Sequence, residues 1–274
     1  MALAGCRGLA RWAAVWNGRE HMPQELLTIL NKAADVVSEA LAAQNDWGLT
    51  RAGGAQYHHD TVADAAALAV LEGAGVGVFS EESGLHHPER SVLVVIDPVD
   101  GSTNASRGLP WWAVSLCALD QAGPVAAVVD SPRTRERYEA VRGEGAVCNG
   151  ERIRPSPARS IGQSIIAFNG YPPSYLGWAQ FRVLGAAALD LCYVASGALD
   201  GFADFSALSL APWDYLGGLL VCQEAGALVE DAAGRDLVIR QPGERRCITA
   251  AGTRQLLDEL LAARHQPRGR SRRK

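Results

Sequence analysis

Two carboxylates three positions apart, Asp97 and Asp100, stand in the segment Asp97-Pro98-Val99-Asp100-Gly101-Ser102-Thr103-Asn104. The β-branched and apolar run from Val92 to Ile96 precedes them, and it reads as a strand buried on both faces. Pro98 stiffens the turn that should follow, and Gly101 lets the backbone bend sharply. Ser102, Thr103 and Asn104 come where a helix can begin, and a helix N-terminus offers free N–H groups and partial positive charge to a phosphate. Carboxylates beside a phosphate site make chemical sense when a cation lies between them, and hard oxygen ligands select Mg²⁺ or Mn²⁺. The plain alternative is an Asp-rich surface turn after a strand.

Two other segments bear on that choice. Ser80-Glu81-Glu82-Ser83 follows the short apolar run Val76-Gly77-Val78-Phe79. Trp213-Asp214-Tyr215-Leu216-Gly217-Gly218 opens an apolar helix. Paired glutamates are ordinarily solvent-facing, and an Asp in a first helical turn is ordinarily a dipole partner. The three segments together, with an aromatic beside the last Asp, point to a metal site.

The elements that must position these residues follow from periodicity. Residues 24–43 carry apolar side chains at helical spacing behind Pro23, and residues 61–72 read as a second helix capped by Thr61. Strands are expected at 76–79, 92–96, 113–119, 125–129 and 138–142, with a tight hairpin bracketed by Gly143, Gly145 and Gly150. Pro155 and Pro157 mark a boundary. Beyond it, strands at 164–168, 200–205 and 227–230 alternate with helices at 186–195, 215–225 and 253–264, the last capped by Thr253. The reading is α+β, with halves of about 22–155 and 156–264 packed in layers. Residues 1–21 are read as an N-terminal extension and 265–274 as a basic disordered tail.

At this point the chain resembles the inositol monophosphatase family of Mg²⁺-dependent, lithium-sensitive phosphatases, from about residue 24 to 263. The resemblance rests on Glu81-Glu82-Ser83, Asp97 to Asn104, and Trp213-Asp214 with Gly217-Gly218. It implies a layered α-β-α-β-α sandwich of the inositol monophosphatase and fructose-1,6-bisphosphatase type. It also implies that Glu81, Asp97 and the Val99 carbonyl bind one metal, that Asp97, Asp100 and Asp214 bind a second, and that a third, weaker ion sits near Glu81. Gly101, Ser102 and Thr103 would hold phosphate oxygens. Family members pair a hydroxyl, usually Thr, with an upstream Asp to activate water; here the hydroxyl is Ser102. Asp64 best fits the upstream Asp, with Asp60 as the other candidate. Gly185-Ala186-Ala187 matches the helix that contacts the alcohol part of the substrate, and Asp204 is the candidate polyol-binding carboxylate. The stretch between Asp204 and Asp214 is longer than in the family.

The implied reaction is hydrolysis of a small phosphomonoester with two to three Mg²⁺ ions, Mn²⁺ as a substitute and Li⁺ as inhibitor. Inositol 1-phosphate leads; fructose 1,6-bisphosphate, 3′-phosphoadenosine 5′-phosphate and histidinol phosphate are the rivals. The reading of a different class is a regulatory binding protein of the same fold. The implied assembly is a homodimer, to which the apolar Trp111-Trp112 could contribute.

Composition agrees. Of 26 basic residues, six fall between Arg264 and Lys274, leaving 20 against 30 acidic ones, so general nucleic-acid binding is not expected. No apolar run is long enough for a membrane helix, and Leu3-Ala4-Gly5-Cys6 lacks the segments that must precede a lipobox. The six cysteines show no metal spacing and read as free thiols of a cytoplasmic protein. The pairs His58-His59 and His86-His87 are placed in polar loops, where neighbouring side chains diverge. Gly73-Ala74-Gly75-Val76-Gly77 follows a helix and precedes a strand, the reverse of a dinucleotide-binding turn.

Overall fold

A computed structural model describes residues 22–48 and 57–264; the expected extension and tail lie outside the described residues. Helix α1 (Pro23–Ala42) opens on its proline and buries Leu26, Leu30, Ala33, Val37 and Leu41 along one stripe. Helix α2 (His58–Gly73) buries Ala63, Ala67 and Leu71 beside it. Both cover one face of a large sheet built from β1 (Gly77–Ser80), β2 (Gly84–His86), β3 (Leu93–Asp100), β4 (Ala113–Asp120), β5 (Gly123–Ser131), β6 (Glu136–Val141), β7 (Gly145–Cys148) and β8 (Glu151–Arg152). Its order is β2-β1-β3-β4-β5-β6-β7-β8, antiparallel except where β1 meets β3.

The second sheet has the order β10-β9-β11-β13-β12, from β9 (Ile165–Gly170), β10 (Gln180–Arg182), β11 (Gly201–Phe205), β12 (Leu228–Asp231) and β13 (Ile248–Ala251). Helices α4 (Ala187–Ser196) and α5 (Pro212–Ala225) fill the space between the sheets, and α6 (Arg254–Arg264) covers the outer face of the second. The layers therefore run α-β-α-β-α, as the resemblance implies, and the change of sheet falls at the Pro155–Pro157 boundary.

Gly217 and Gly218 make the central layer thin enough. A Cβ on Gly217 would stand 2.7 Å from Ser115 Oγ of β4, and one on Gly218 would stand 2.7 Å from Leu191 Cβ of α4. Helix α5 is thus wedged between sheet and helix at its first turns, where Asp214 sits.

Three expectations need correction. Helix α2 begins at His58, so Thr61 is an exposed residue of its first turns rather than its cap. The same shift takes His59 out of the polar loop and into the interior, 0% exposed. Strand β3 does not end at Ile96; it continues to Asp100 with a register shift against β4 between Asp97 and Asp100. Strands β2, β10 and β13 are too short to show as alternation. Trp112 is buried under α1 and α2, and Trp111 packs into the central core with its Nε1 donating to Asp190 at 2.8 Å. The Thr253 cap is present: its Oγ1 accepts from Leu256 N at 3.2 Å.

Candidate metal centre

Three carboxylates come together from three places in the chain. Glu81 follows β1, Asp97 lies in β3, and Asp214 lies in the first turn of α5. One oxygen of each lies within 4.8 Å of the others. The parallel β1–β3 pairing sets the first two side by side, since Ser80 pairs with Ile96 and Glu81 N donates to the Ile96 carbonyl at 3.1 Å. Asp214 is fixed at the N-terminus of α5, where its Oδ2 accepts from Ala211 N at 2.7 Å. The Phe79 and Trp213 rings meet edge to face at 5.2 Å and tie α5 to β1.

The bulge in β3 shapes the rest. Asp97 Oδ1 accepts from Val99 N at 2.9 Å, a local turn that Pro98 favours. Asp100 Oδ2 accepts from Ala188 N at 2.7 Å, which binds it to the start of α4. Gly101 then adopts φ 89°, and the short helix α3 (Ser102–Ser106) starts. A Cβ on Gly101 would meet the Trp111 carbonyl at 3.0 Å, Ala186 Cβ at 3.1 Å and the Gly185 carbonyl at 3.2 Å. Asn104 Nδ2 donates to the Trp111 and Leu184 carbonyls, both at 2.8 Å. The Gly185-Ala186-Ala187 segment is therefore packed directly on the Asp100–Asn104 loop, and its small residues allow that approach.

Electrostatically the cluster is only partly compensated, by Arg245 near Asp214 and by the Ala188 and Ala211 N–H groups. Burial, then repulsion from Glu81, Asp100 and Asp214, pushes Asp97 well above the usual carboxylate range. Burial and Asp214 do the same to Asp100. Asp214 rises to about 6, from burial. Glu81 is raised by burial of its carboxyl end and by Asp214. Such a set is stable at neutral pH when a cation replaces the protons. All donors are oxygens, the set that suits Mg²⁺ or Mn²⁺.

Asp64 is not paired with Ser102. Its Oδ1 accepts from Ser80 Oγ at 2.5 Å, and Ser80 Oγ in turn accepts from Glu82 N at 3.1 Å. Asp64 thus braces the turn that carries Glu81. Asp64→Asn keeps an acceptor for Ser80, so we expect turnover within about tenfold of wild type. A loss comparable to that of a metal ligand would return Asp64 to the water-activating role.

Asp60 is the one of the two whose charge acts on Glu81. Its Oδ2 accepts from Tyr57 N at 3.1 Å, and its Oδ1 is buried without a hydrogen bond. Burial raises it to about 7, with Glu82 adding to the rise. Tyr57, one residue ahead of α2, places its hydroxyl 3.4 Å from Thr103 Oγ1. This wall formed by the first turn of α2 was not visible in the sequence; the only hint was the placement of Asp60 one turn before Asp64.

Asp204 is fully buried in β11. Its Oδ1 accepts from Asn169 Nδ2 at 3.1 Å and from Ser206 N at 2.8 Å, while Oδ2 has no hydrogen-bond partner. It lies close enough to Asp214 to act on it. In the stretch after it, Leu208 is exposed and Ser209 takes φ 60°.

Comparison with known proteins places these residues in context. A family model described as the inositol monophosphatase family matches residues 22–268. A fructose-1,6-bisphosphatase of Pyrococcus furiosus is 35% identical over 206 residues, 74% of this chain and 81% of that protein. The Nus factor SuhB of Escherichia coli is 40% identical over 173 residues, which cover 57% of this chain and 63% of SuhB, so that match spans less than two thirds of the relative. Among solved structures, a Pyrococcus horikoshii protein with similarities to inositol-1 monophosphatase superposes with a TM-score of 0.76 at 29% identity, covering 88% of this chain and 96% of that one.

Proposed function

The chain belongs to the inositol monophosphatase family, and from that membership and its carboxylate cluster we propose that it is a Mg²⁺-dependent phosphomonoesterase acting on a small polyol or sugar phosphate. The observation that carries the reading is the convergence of Glu81, Asp97 and Asp214 within 4.8 Å, their charges offset only in part by Arg245 and backbone N–H groups.

In this reading Glu81, Asp97, Asp100, Asp214 and the Val99 carbonyl hold two Mg²⁺ ions, and Mn²⁺ can replace them. Bound there, the cations would supply Lewis acidity to the phosphate ester. The chain supplies position. Gly101 turns the backbone so that the N–H groups at the start of α3 face the phosphate, and Ser102 and Thr103 add hydroxyls. The Ala188 N–H ties this loop to α4, and the Asn104 amide ties it to the Trp111 and Leu184 carbonyls. Asp204, whose carboxylate is fully buried in β11, is left out of the substrate contacts.

The P. furiosus relative named as a fructose-1,6-bisphosphatase keeps that substrate beside inositol 1-phosphate. The relative named as a Nus factor keeps a regulatory role as the second reading. The experiment is phosphate release from inositol 1-phosphate, fructose 1,6-bisphosphate, 3′-phosphoadenosine 5′-phosphate and histidinol phosphate, with Mg²⁺, with EDTA and with Li⁺. We expect one polyol or sugar phosphate to lead by at least about tenfold in kcat/KM, a difference of about 1.4 kcal/mol. No metal-dependent release from any of the four would favour the regulatory reading.

A further inference from the structure

Asp190 is a buried carboxyl outside the metal cluster. It lies in the first turn of α4, 1% exposed, and burial raises it to about 7. A carboxyl in an apolar interior is costly, and an apolar side chain of similar size would pack there without that cost. Among the described residues, its side chain takes one hydrogen bond, from Trp111 Nε1 at 2.8 Å.

That bond leads to the loop assigned to phosphate. The Trp111 carbonyl accepts from Asn104 Nδ2 at 2.8 Å, and Asn104 belongs to α3. A Cβ on Gly101 would meet the same carbonyl at 3.0 Å, so the loop backbone lies directly on Trp111. The Trp111 ring is also seated edge-on against Tyr193 of α4, with 4.6 Å between centroids. One polar and one aromatic contact therefore fix the indole on α4. Ala188 N, two residues before Asp190, donates to Asp100 Oδ2 at 2.7 Å. One stretch of α4 thus holds Asp100 directly, and holds the residues after it through Trp111 and Asn104.

We propose that Asp190 is a positioning residue for phosphate binding: by holding the Trp111 indole it sets, through Asn104, where segment 101–104 stands relative to Asp100. Hydrogen-bond donors act through distance and angle, so a small displacement of this segment weakens its phosphate contacts together. The inference rests on the phosphomonoesterase reading, which supplies the ligand. It concerns the phosphate group itself, whatever alcohol that group is joined to.

The test uses the full-length protein at saturating Mg²⁺. Inorganic phosphate is titrated by calorimetry, and KM and kcat are measured on inositol 1-phosphate and fructose 1,6-bisphosphate. Trp111→Phe keeps a ring and loses the N–H, Asp190→Ala loses the acceptor, and Asp190→Asn keeps one. We expect Trp111→Phe and Asp190→Ala each to raise KM and the phosphate Kd by about tenfold, with kcat and the Mg²⁺ Kd within about threefold of wild type. The double variant should be no worse than either single one, because both break the same bond. Asp190→Asn should bring KM and the phosphate Kd back to within about threefold of wild type. If Asp190→Ala does not fold, Trp111→Phe and Asp190→Asn decide.

Unchanged KM and phosphate Kd in the folded variants overturn the inference. So do additive effects in the double variant, or a loss matched by an equal loss of Mg²⁺ affinity. A wild type that binds phosphate but hydrolyses neither ester overturns the phosphatase reading, and the phosphate titrations still decide Asp190. Turnover in a wild type whose phosphate binding is indifferent to these substitutions overturns the role of Asp190 alone. A wild type that neither binds phosphate nor hydrolyses an ester overturns both.

Discussion

Asp97→Asn lowers Mg²⁺-dependent phosphate release by about three orders of magnitude, and it raises the melting temperature of the metal-free protein at pH 8. Both effects have one origin. Asp97 is 3% exposed, sits between Glu81 and Asp214, and is held by Val99 N–H. The amide keeps the shape and an acceptor for Val99. It removes the charge that binds the cation, and removing one element of preorganised electrostatics ordinarily costs about 10²–10³ in rate. The same charge is unfavourable in the metal-free fold, because burial and three neighbouring carboxylates oppose it. Losing it relieves the native state while leaving the unfolded chain almost unchanged. Phosphate release and thermal melts with and without Mg²⁺ measure both. Retained turnover, or a fold weakened at pH 8, would contradict the assignment of Asp97.

The stability of the metal-free protein falls as pH rises, and Mg²⁺ restores it. Asp214 is raised from 3.8 to about 6 and Asp60 and Asp190 to about 7, burial being the main cause in each. A group whose folded pKa lies above its unfolded value stabilises fully below the unfolded pKa, and that contribution is lost as pH rises through the folded one. The metal-free melting temperature should therefore drop across about pH 4–7. Mg²⁺ competes with protons for the cluster, so its effect should be negligible at pH 5 and largest at pH 8. At a concentration of about 100 Kd the gain is about 2.7 kcal/mol, or roughly 5–10 °C for a chain of this size. Melts at pH 5 and pH 8 with and without Mg²⁺ provide the check. An equal Mg²⁺ gain at both would mean that the ion does not bind this cluster.

The legible part of the site is the part written in contiguous residues. Asp97, Asp100 and Gly101 lie in one short segment whose chemistry needs no tertiary knowledge, and Asp214 is marked by the Trp213 before it. The layers were legible because α1 and α6 carry clear stripes and the β-branched runs are long. What stayed hidden depends on contacts across the chain. Asp64 faces Ser80, sixteen residues away, and nothing local distinguishes that partner from Ser102. His59 is buried because Trp47 and Tyr57 close over it, so its polar neighbours in sequence mislead. The bulge that carries Asp97 into the site keeps strand pairing to Asp100, although Asp-Pro reads as a stop. Asn104 reaches Leu184 across eighty positions, a clamp that periodicity cannot announce.

The most direct measurement is metal-dependent turnover itself. Purified protein is treated with EDTA, assayed for phosphate release from inositol 1-phosphate and fructose 1,6-bisphosphate, and assayed again after Mg²⁺ is added back, beside Asp214→Asn. The account predicts no release after EDTA, recovery with Mg²⁺, and little recovery in the variant. Release that survives EDTA, or an Asp214→Asn protein as active as wild type, would contradict the claim that Glu81, Asp97 and Asp214 form a catalytic metal centre.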